Sequence, residues 1–344
     1  IWGYGVSPSG SLTALSGSPS STSTAQGTNI VTNGANLYAI AEDNTANLDI
    51  FSINRSNGSL TLANSTSATV GDPNRPDPIH GDPAGGLALD HSGASLYVNV
   101  GVTDLNGGIN VFAVGNGSSA QQLQFLPTGA VAFPPLVFAP NNQYAYSNTC
   151  FFRSEGVYAY TRSSDGTLKG LSLGPVAEPT VAGAAFCPGA LAVSAKGYLA
   201  VVWLRQFMCC GSSENHVYLM TYKINGDGTL TAISGSQQQT ASTSNPNSAN
   251  NVAANFDPSG IVLAMAGNGG IQTYSLNGNG MLTPAGSPQN AGVKFQNVAW
   301  DNSSHVFATD SSDLYVFTSS NGMLSQSAGS PYAGGQALTV LPLQ

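Results

Sequence analysis

Charge is what this chain has least of. Asp, Glu, Lys and Arg make up 8% of its 344 residues, against roughly 25% in ordinary soluble domains. Lys and Arg together number only nine, and the net charge is −8. Phosphate binding needs clustered cations, so the composition excludes nucleic acid as a partner and argues against an anionic membrane surface. No apolar run reaches the roughly 18–20 residues that span a bilayer. No window shows helical periodicity. Histidine is scarce: His80, His91, His216 and His305 form no His-x-x-x-His or His-Glu pair, so no zinc spacing exists. A Gly-x-Ser-x-Gly elbow is missing, which removes the usual sequence ground for a Ser-His-Asp triad.

What the chain has instead is a repeat. Gly-x-Leu follows a short aromatic-bearing strand six times: Gly10-Ser-Leu12, Gly58-Ser-Leu60, Gly166-Thr-Leu168, Gly228-Thr-Leu230, Gly280-Met-Leu282 and Gly322-Met-Leu324. An eroded seventh copy lies between Gly117 and Leu123. Glycine takes positive φ without steric cost, as a tight hairpin requires. One hairpin every 40–60 residues marks a β-propeller or solenoid. Between these hairpins recurs a second strand pair, as in 85–100, 135–148, 190–204, 252–267 and 297–310, joined by a polar turn around Asp-x-Ser-Gly. Period-2 alternation with β-branched and aromatic residues supports strands throughout.

These patterns predict one domain, residues 1–344, folded as an all-β, seven-bladed β-propeller with strands A to D numbered from the axis outwards. Six blades are complete. Residues 1–16 supply only C and D of the seventh, and the C-terminal 336–341 is expected as its A strand. Its B strand is missing, which leaves three readings: residues upstream of Ile1, a strand donated by a neighbouring molecule, or a three-stranded blade. Donation would permit self-assembly through the incomplete blade.

The pattern of strand, Gly-x-Leu-Thr, then Gly-Ser-Pro, at 10–19, 280–288 and 322–331, resembles the lactonase-like seven-bladed propellers. These include the 6-phosphogluconolactonase-type proteins and exported propellers with a Tyr-Val-Thr-Asn repeat, of which Leu96-Tyr-Val-Asn99 resembles a degenerate copy. The resemblance covers nearly the whole chain. It implies the propeller fold and, as one option, sugar-lactone hydrolysis. With so few cations, that substrate would be an unphosphorylated lactone.

The long insertions, at 63–86, 127–135, 173–189, 205–216 and 235–250, all fall on the face of the D-to-A and B-to-C loops. Binding sites usually arise on such elaborated loops. Asp72, Asp77, Asp104, Arg153, Glu155, Arg205 and Glu214 are the expected ligand-facing residues, and Asp49 and Asp310 map to the same face. The densest stretch is 71–86, where His80 and Asp82 pair as a base with its orienter, or as ligands of a Ca²⁺ ion. His80, Asp82, Arg75 and Glu178 are the candidate catalytic groups. The plain alternative is a rigid loop whose carboxylates cap turns. No other cofactor is implied.

Cys150, Cys187, Cys209 and Cys210 emerge on that face in adjacent blades, four and five counted from the N-terminal hairpin. Two disulfides are expected, with Cys209 and Cys210 each pairing outward; a soft metal and free thiols are the alternatives. Trp203, Phe207 and Met208 are expected as an exposed contact patch. Trp2, Tyr4, Phe51, Phe112, Tyr158, Tyr160, Tyr222, Tyr274 and Phe317 repeat at one place in strand C, which reads as packing between blades. The cysteines and the Ser/Thr/Asn-rich surface place the protein in an extracellular or periplasmic compartment, with any export signal upstream of the given sequence. Two functions follow: a non-catalytic recognition or structural propeller that meets a protein or glycan partner on its long-loop face, or a lactonase.

Overall fold

The computed structural model describes residues 1–22, 27–41, 47–67, 86–100, 108–115, 117, 119–128, 136–149, 156–206, 216–243, 252–335 and 337–341. Every regular element among them is a β-strand. The first two strands, β1 (Tyr4–Val6) and β2 (Leu12–Ala14), form a two-stranded hairpin. Six larger sheets follow.

The first sheet holds β3 (Gly27–Thr32), β4 (Asn36–Ala41), β5 (Asn47–Ile53) and β6 (Leu60–Ser67). The second holds β7 (Gly86–Leu89), β8 (Ser95–Val100), β9 (Gly108–Val114) and β10 (Ala120–Pro127). The third holds β11 (Val137–Phe138), β12 (Tyr144–Thr149), β13 (Gly156–Arg162) and β14 (Leu168–Leu171). In the fourth lie β15 (Ala185–Val193), β16 (Tyr198–Gln206), β17 (His216–Ile224), β18 (Leu230–Ala232) and β19 (Gln238–Thr243). The fifth comprises β20 (Val252–Phe256), β21 (Val262–Gly267), β22 (Gly270–Leu276) and β23 (Leu282–Pro284). The sixth comprises β24 (Asn297–Trp300), β25 (His305–Thr309), β26 (Asp313–Ser320), β27 (Met323–Gln326) and β28 (Tyr332–Ala333).

Each sheet is an antiparallel meander in chain order, the A-B-C-D pattern of a propeller blade. The fifth strands arise because strand D is interrupted. β18 pairs with Tyr222–Ile224 and β19 with residues 216–219, both along β17. β27 and β28 divide the edge of β26 in the same way. The breaks fall at Ser234-Gly-Ser236 and at Gly329-Ser-Pro331, the second of them a Gly-Ser-Pro that recurs after Gly-x-Leu.

The Gly-x-Leu repeat fastens one sheet to the next. Gly166 has φ of +96°, and its carbonyl accepts the Tyr97 hydroxyl of the preceding sheet at 2.7 Å. Tyr146 donates likewise to Gly228 at 2.9 Å, Thr221 to Gly280 at 2.5 Å and Thr273 to Gly322. A Cβ on Gly166 would stand 2.2 Å from Ser95 Oγ, so only glycine permits this approach. The strand-C aromatics Phe51, Phe112, Tyr160, Tyr222, Tyr274 and Phe317 are all buried, as packing between sheets requires.

The hairpin β1–β2 sits between the sixth and first sheets. On one side Tyr4 and Leu12 pack on Phe307, Leu314 and Val316. The Tyr4 hydroxyl donates to Ala333 O at 2.6 Å, and Leu12 N–H donates to the Tyr332 hydroxyl at 3.1 Å. On the other side Ile1 packs on Leu37, Ala39 and Phe51, while Leu15 fills the space beside Gly58. Gly10 meets Ser327 as the other repeat glycines meet their neighbours. The structure therefore shows six blades where seven were expected: the hairpin lies between the sixth and first but has two strands where the others have at least four. Residues 337–341 are not the expected A strand: they form no strand at all. An inner strand hydrogen-bonds only to strand B, and among the described residues no B strand lies beside this segment to hold it in a ladder. Trp2 departs from its expected burial for the same reason and is 46% exposed.

Candidate functional site

Turn-capping carboxylates occur at both ends of the sheets, most of them at one end. At one end lie the A-to-B and C-to-D turns. In the Asp-x-Ser-Gly turns the carboxylate caps the turn itself. Asp90 Oδ1 accepts the amides of Ala94 (3.1 Å) and Ser95 (3.2 Å), and its Oδ2 accepts the Ser92 hydroxyl. Asp257 accepts the amides of Ile261 and Val262, both at 2.8 Å. Asp301 accepts the amide of His305 at 2.8 Å and its Nδ1 at 2.7 Å. Asp165 and Asp227 take the amide and hydroxyl of Thr167 and Thr229, and these bonds lower both carboxyl pKa values below the usual range.

Asp90 goes further. Arg162, from the third sheet, donates to Asp90 Oδ2 at 2.5 Å, to the Tyr97 hydroxyl at 3.0 Å and to Ser95 Oγ at 3.2 Å. Burial pushes the Asp90 pKa up. The bonds from Ser92, Ser95 and Asn142 and the Arg162 charge outweigh it, and the carboxyl sits below its ordinary value. This end of the molecule is built from groups that satisfy one another.

The B-to-C and D-to-A connections lie at the opposite end. Among the described residues there, Glu178 is exposed in the segment between β14 and β15. It lies near Tyr222, whose phenol is pushed up by burial and by Glu178, against the Trp203 hydrogen bond. Tyr222 donates to Ala177 O at 2.5 Å and accepts from Trp203 Nε1 at 3.1 Å. Gln237 Oε1 accepts the Thr180 amide at 2.8 Å, a second tie on this segment. Arg205 is half-buried near the end of β16, opposite Phe186. Cys187 pairs with Leu204 one step along, is buried, and carries a bonded sulfur rather than a free thiol. Asp310 caps its own turn through the amides of Ser312 and Asp313, both at 2.8 Å.

Two expectations fail. Asp49 is not on a surface: it sits inside β5, 1% exposed, because its sheet is covered on both faces. Trp203 is not part of an exposed patch. It is 1% exposed in the middle of the fourth sheet, where its indole N–H finds Tyr222. Phe207 and Met208 lie outside the described residues. So do Asp72, Arg75, Asp77, His80, Asp82, Asp104, Cys150, Arg153, Glu155, Cys209, Cys210 and Glu214. No group of three or more His, Cys, Asp or Glu that could hold a metal occurs among the described residues.

Sequence reasoning did not single out Asn148. It occupies strand B, where its Nδ2 donates to Pro188 O of the next sheet at 2.6 Å and its buried Oδ1 has no partner. The signal was the tripeptide Tyr146-Ser-Asn148, which matches Tyr97-Val-Asn99 one sheet earlier.

Beside the terminal hairpin lies a cavity of about 460 Å³. Tyr4 and Val6 line it from β1, Trp2 from the residues before that strand, Leu338 and Val340 from the C-terminal segment, and Ile30, Ala39 and Phe307 from the flanking sheets. Its walls are chiefly apolar, with the hydroxyls of Thr32, Thr309 and Thr339 among the exceptions. The register of β1 explains its edge. Gly3, Gly5 and Ser7 direct their backbone groups to β2, so Trp2, Tyr4 and Val6 direct theirs away from it.

The sheets and their order define a β-propeller. Solved structures agree. The chain is similar to the periplasmic gluconolactonase PpgL of Pseudomonas aeruginosa, with a TM-score of 0.64 at 16% identity over 94% of this chain and 90% of that one. It is similar to a protein from Lactobacillus plantarum, with a TM-score of 0.55 at 17% identity over 88% and 80%. The β-propeller domain of Cps50 (Swd1) from Myceliophteria thermophila gives 0.55 at 12% identity over 92% and 90%. No protein-family profile and no curated protein matches the chain. The likeness is one of fold alone: a β-propeller.

Proposed function

We propose that the protein is an exported recognition propeller organised around seven blade positions, with its working surface on the long-connection face. The observation that carries this reading is the uneven spread of self-capping carboxylates between the two ends. At the short-turn end Asp90, Asp165, Asp227, Asp257 and Asp301 each cap their own turn. On the B-to-C and D-to-A connections Asp310 caps its turn in the same way, but Glu178 is exposed, Arg205 is half-buried, and by sequence most of the other acids lie there. A weakly charged, hydroxyl- and amide-rich surface with scattered carboxylates suits a polar, uncharged partner such as a glycan or a protein loop. Two disulfides joining Cys150, Cys187, Cys209 and Cys210 would hold this face together, and a Ca²⁺ ion at 71–86 would order its longest insertion. The test is a glycan array with the folded protein, followed by Glu178→Gln and Arg205→Ala. Saturable binding weakened at least fivefold by either change supports the reading; binding unaffected by both places the surface elsewhere.

A second reading is hydrolysis of an unphosphorylated sugar lactone. The fold match to a periplasmic gluconolactonase along almost the whole chain favours it. Proton release from a panel of aldonolactones at neutral pH, lost in His80→Ala or Glu178→Gln, would replace the recognition reading. No turnover by folded protein would remove this one.

A further inference from the structure

Six equivalent residues of strand C show where one sheet stops short. Leu48, Ile109, Val157, Leu219, Ile271 and Leu314 each stand three residues before the buried strand-C aromatic of their sheet. Five of them meet a strand-D residue on the outer side: Thr66, Leu126, Gln238, Gln289 and Tyr332 in turn. Val157 meets none among the described residues, because β14 pairs with β13 only from Ala159 to Arg162.

The path of the chain explains the gap. After β14 it turns at Gly174, whose φ is +64°, and at Pro175. Leu173, Val176 and Val181 then pack between the third and fourth sheets. The Tyr222 hydroxyl holds Ala177 O, and Gln237 holds both the amide and the carbonyl of Thr180. The chain is thereby drawn towards the fourth sheet and does not run past Val157.

Ile271 shows what the edge offers. Its N–H donates to Gln289 O at 3.0 Å, and its carbonyl accepts the Gln289 amide at 2.8 Å. A residue in the same register turns the same edge outward, so Val157 directs an N–H and a C=O away from β12. Gly156 and Tyr158 beside it are partly exposed. Such an edge is complementary to the backbone of another extended strand. The five residues that fill the position in the other sheets are uncharged, which sets the character of the occupant. β13 begins at the long-connection end, so the edge opens beside the proposed working surface. A slot of two or three residues buries far less than the roughly 1,200 Å² of a stable protein pair. It is too small to hold a second copy of this chain, but it fits one loop of a partner that also rests on the neighbouring face.

We propose that the outer edge of β13 at Val157 receives a short, uncharged, extended segment of a partner protein, added as a further strand of the third sheet. The inference rests on the recognition reading for the partner and on β13 alone for the slot.

The test is to pan a displayed library of random linear octapeptides against the folded 344-residue protein and to synthesise the peptides recovered. These should carry no net charge and should slow amide exchange at Val157 at least tenfold. N-methylation of every second peptide amide should weaken binding at least tenfold, whereas methylation of the alternate set, whose N–H groups point away from β13, should be tolerated. Val157→Pro removes the outward N–H alone and should weaken binding as much. If that variant does not fold, the N-methyl series on the unaltered protein decides. An empty library, affinity indifferent to both N-methyl sets, or a Val157 amide that exchanges as slowly as that of Ile271 in the free protein would each overturn the proposal. A positive glycan array beside an empty library would overturn it and leave the recognition reading standing, whereas binding to neither would remove both.

Discussion

The fourth sheet and the terminal hairpin carry the same strand signals, and the structure treats them oppositely. Trp203, in the middle of β16, is 1% exposed and hydrogen-bonded. Trp2, at the start of the hairpin, is 46% exposed and lines a cavity. The residue type is the same, and the difference is the number of strands around it. An aromatic beside β1 has a neighbouring sheet on each side but, among the described residues, no second strand paired to β1 besides β2. Burial in a propeller therefore comes from sheet completion as much as from contact between sheets.

The widest gap between the two regions should appear on truncating their aromatics. Phe317→Ala, in the fully buried strand-C position of the sixth sheet, should cost about 3–5 kcal/mol in urea unfolding. Trp2→Ala should change stability by no more than about 0.5 kcal/mol. Equal losses would mean that the hairpin is packed as tightly as a complete sheet.

Next comes the ion pair that joins the second and third sheets. Arg162→Met leaves the Asp90 carboxylate buried without its cation, and a loss of about 3 kcal/mol is expected. A further change of Asp90→Asn should recover part of that loss, because the uncompensated charge is then gone.

The repeat glycines give a smaller, graded effect. Gly228→Ala meets both positive φ and a Tyr144 carbon at 2.3 Å, and should cost about 2 kcal/mol or more. Gly17→Ala, in the turn that follows β2, has positive φ but nothing within 4 Å, and should cost about 1 kcal/mol. If the two substitutions cost the same, inter-sheet docking contributes nothing to the choice of glycine.

The smallest effect is on pH dependence. Asp90 titrates below its ordinary value in the folded protein. Its contribution is therefore present above the unfolded pKa, near 4, and is lost as pH falls through the lower folded one. Asp90→Asn should flatten the acid limb of the stability curve below about pH 4 and leave its slope at neutral pH unchanged. An unaltered acid limb would show that folding does not lower the pKa of this carboxylate.

Much of this architecture was legible in the sequence. Gly-x-Leu and Asp-x-Ser-Gly are local signals, each set by a turn that needs positive φ or a capping carboxylate. Together they placed the strand pairs of all six complete sheets and the hairpin at 1–16. The C-terminal strand was misread because alternation in 336–341 describes what the segment could pair with, and pairing needs a strand B beside it. Trp203 and Asp49 both lay within strands read from the sequence, and they were misplaced because a position near a strand end beside a long connection was read as exposure, whereas β16 and β5 are covered there on both faces. The interrupted D strands of the fourth and sixth sheets depend on where the chain rejoins its partner, which is not a local property. The site was far less legible: long connections mark a face, but neither spacing nor motif selects a ligand.

The central claim is that the hairpin, in which β1 pairs only with β2 among the described residues, is held less tightly than the six complete sheets. Residue-resolved hydrogen exchange on the 344-residue chain tests it most directly, by comparing the amides of Tyr4 and Val6 with those of β26 in the sixth sheet, such as Val316 and Phe317. The account predicts exchange at Tyr4 and Val6 at least a hundredfold faster than in β26. Protection of all four amides at a common level, in a monomer, would contradict it.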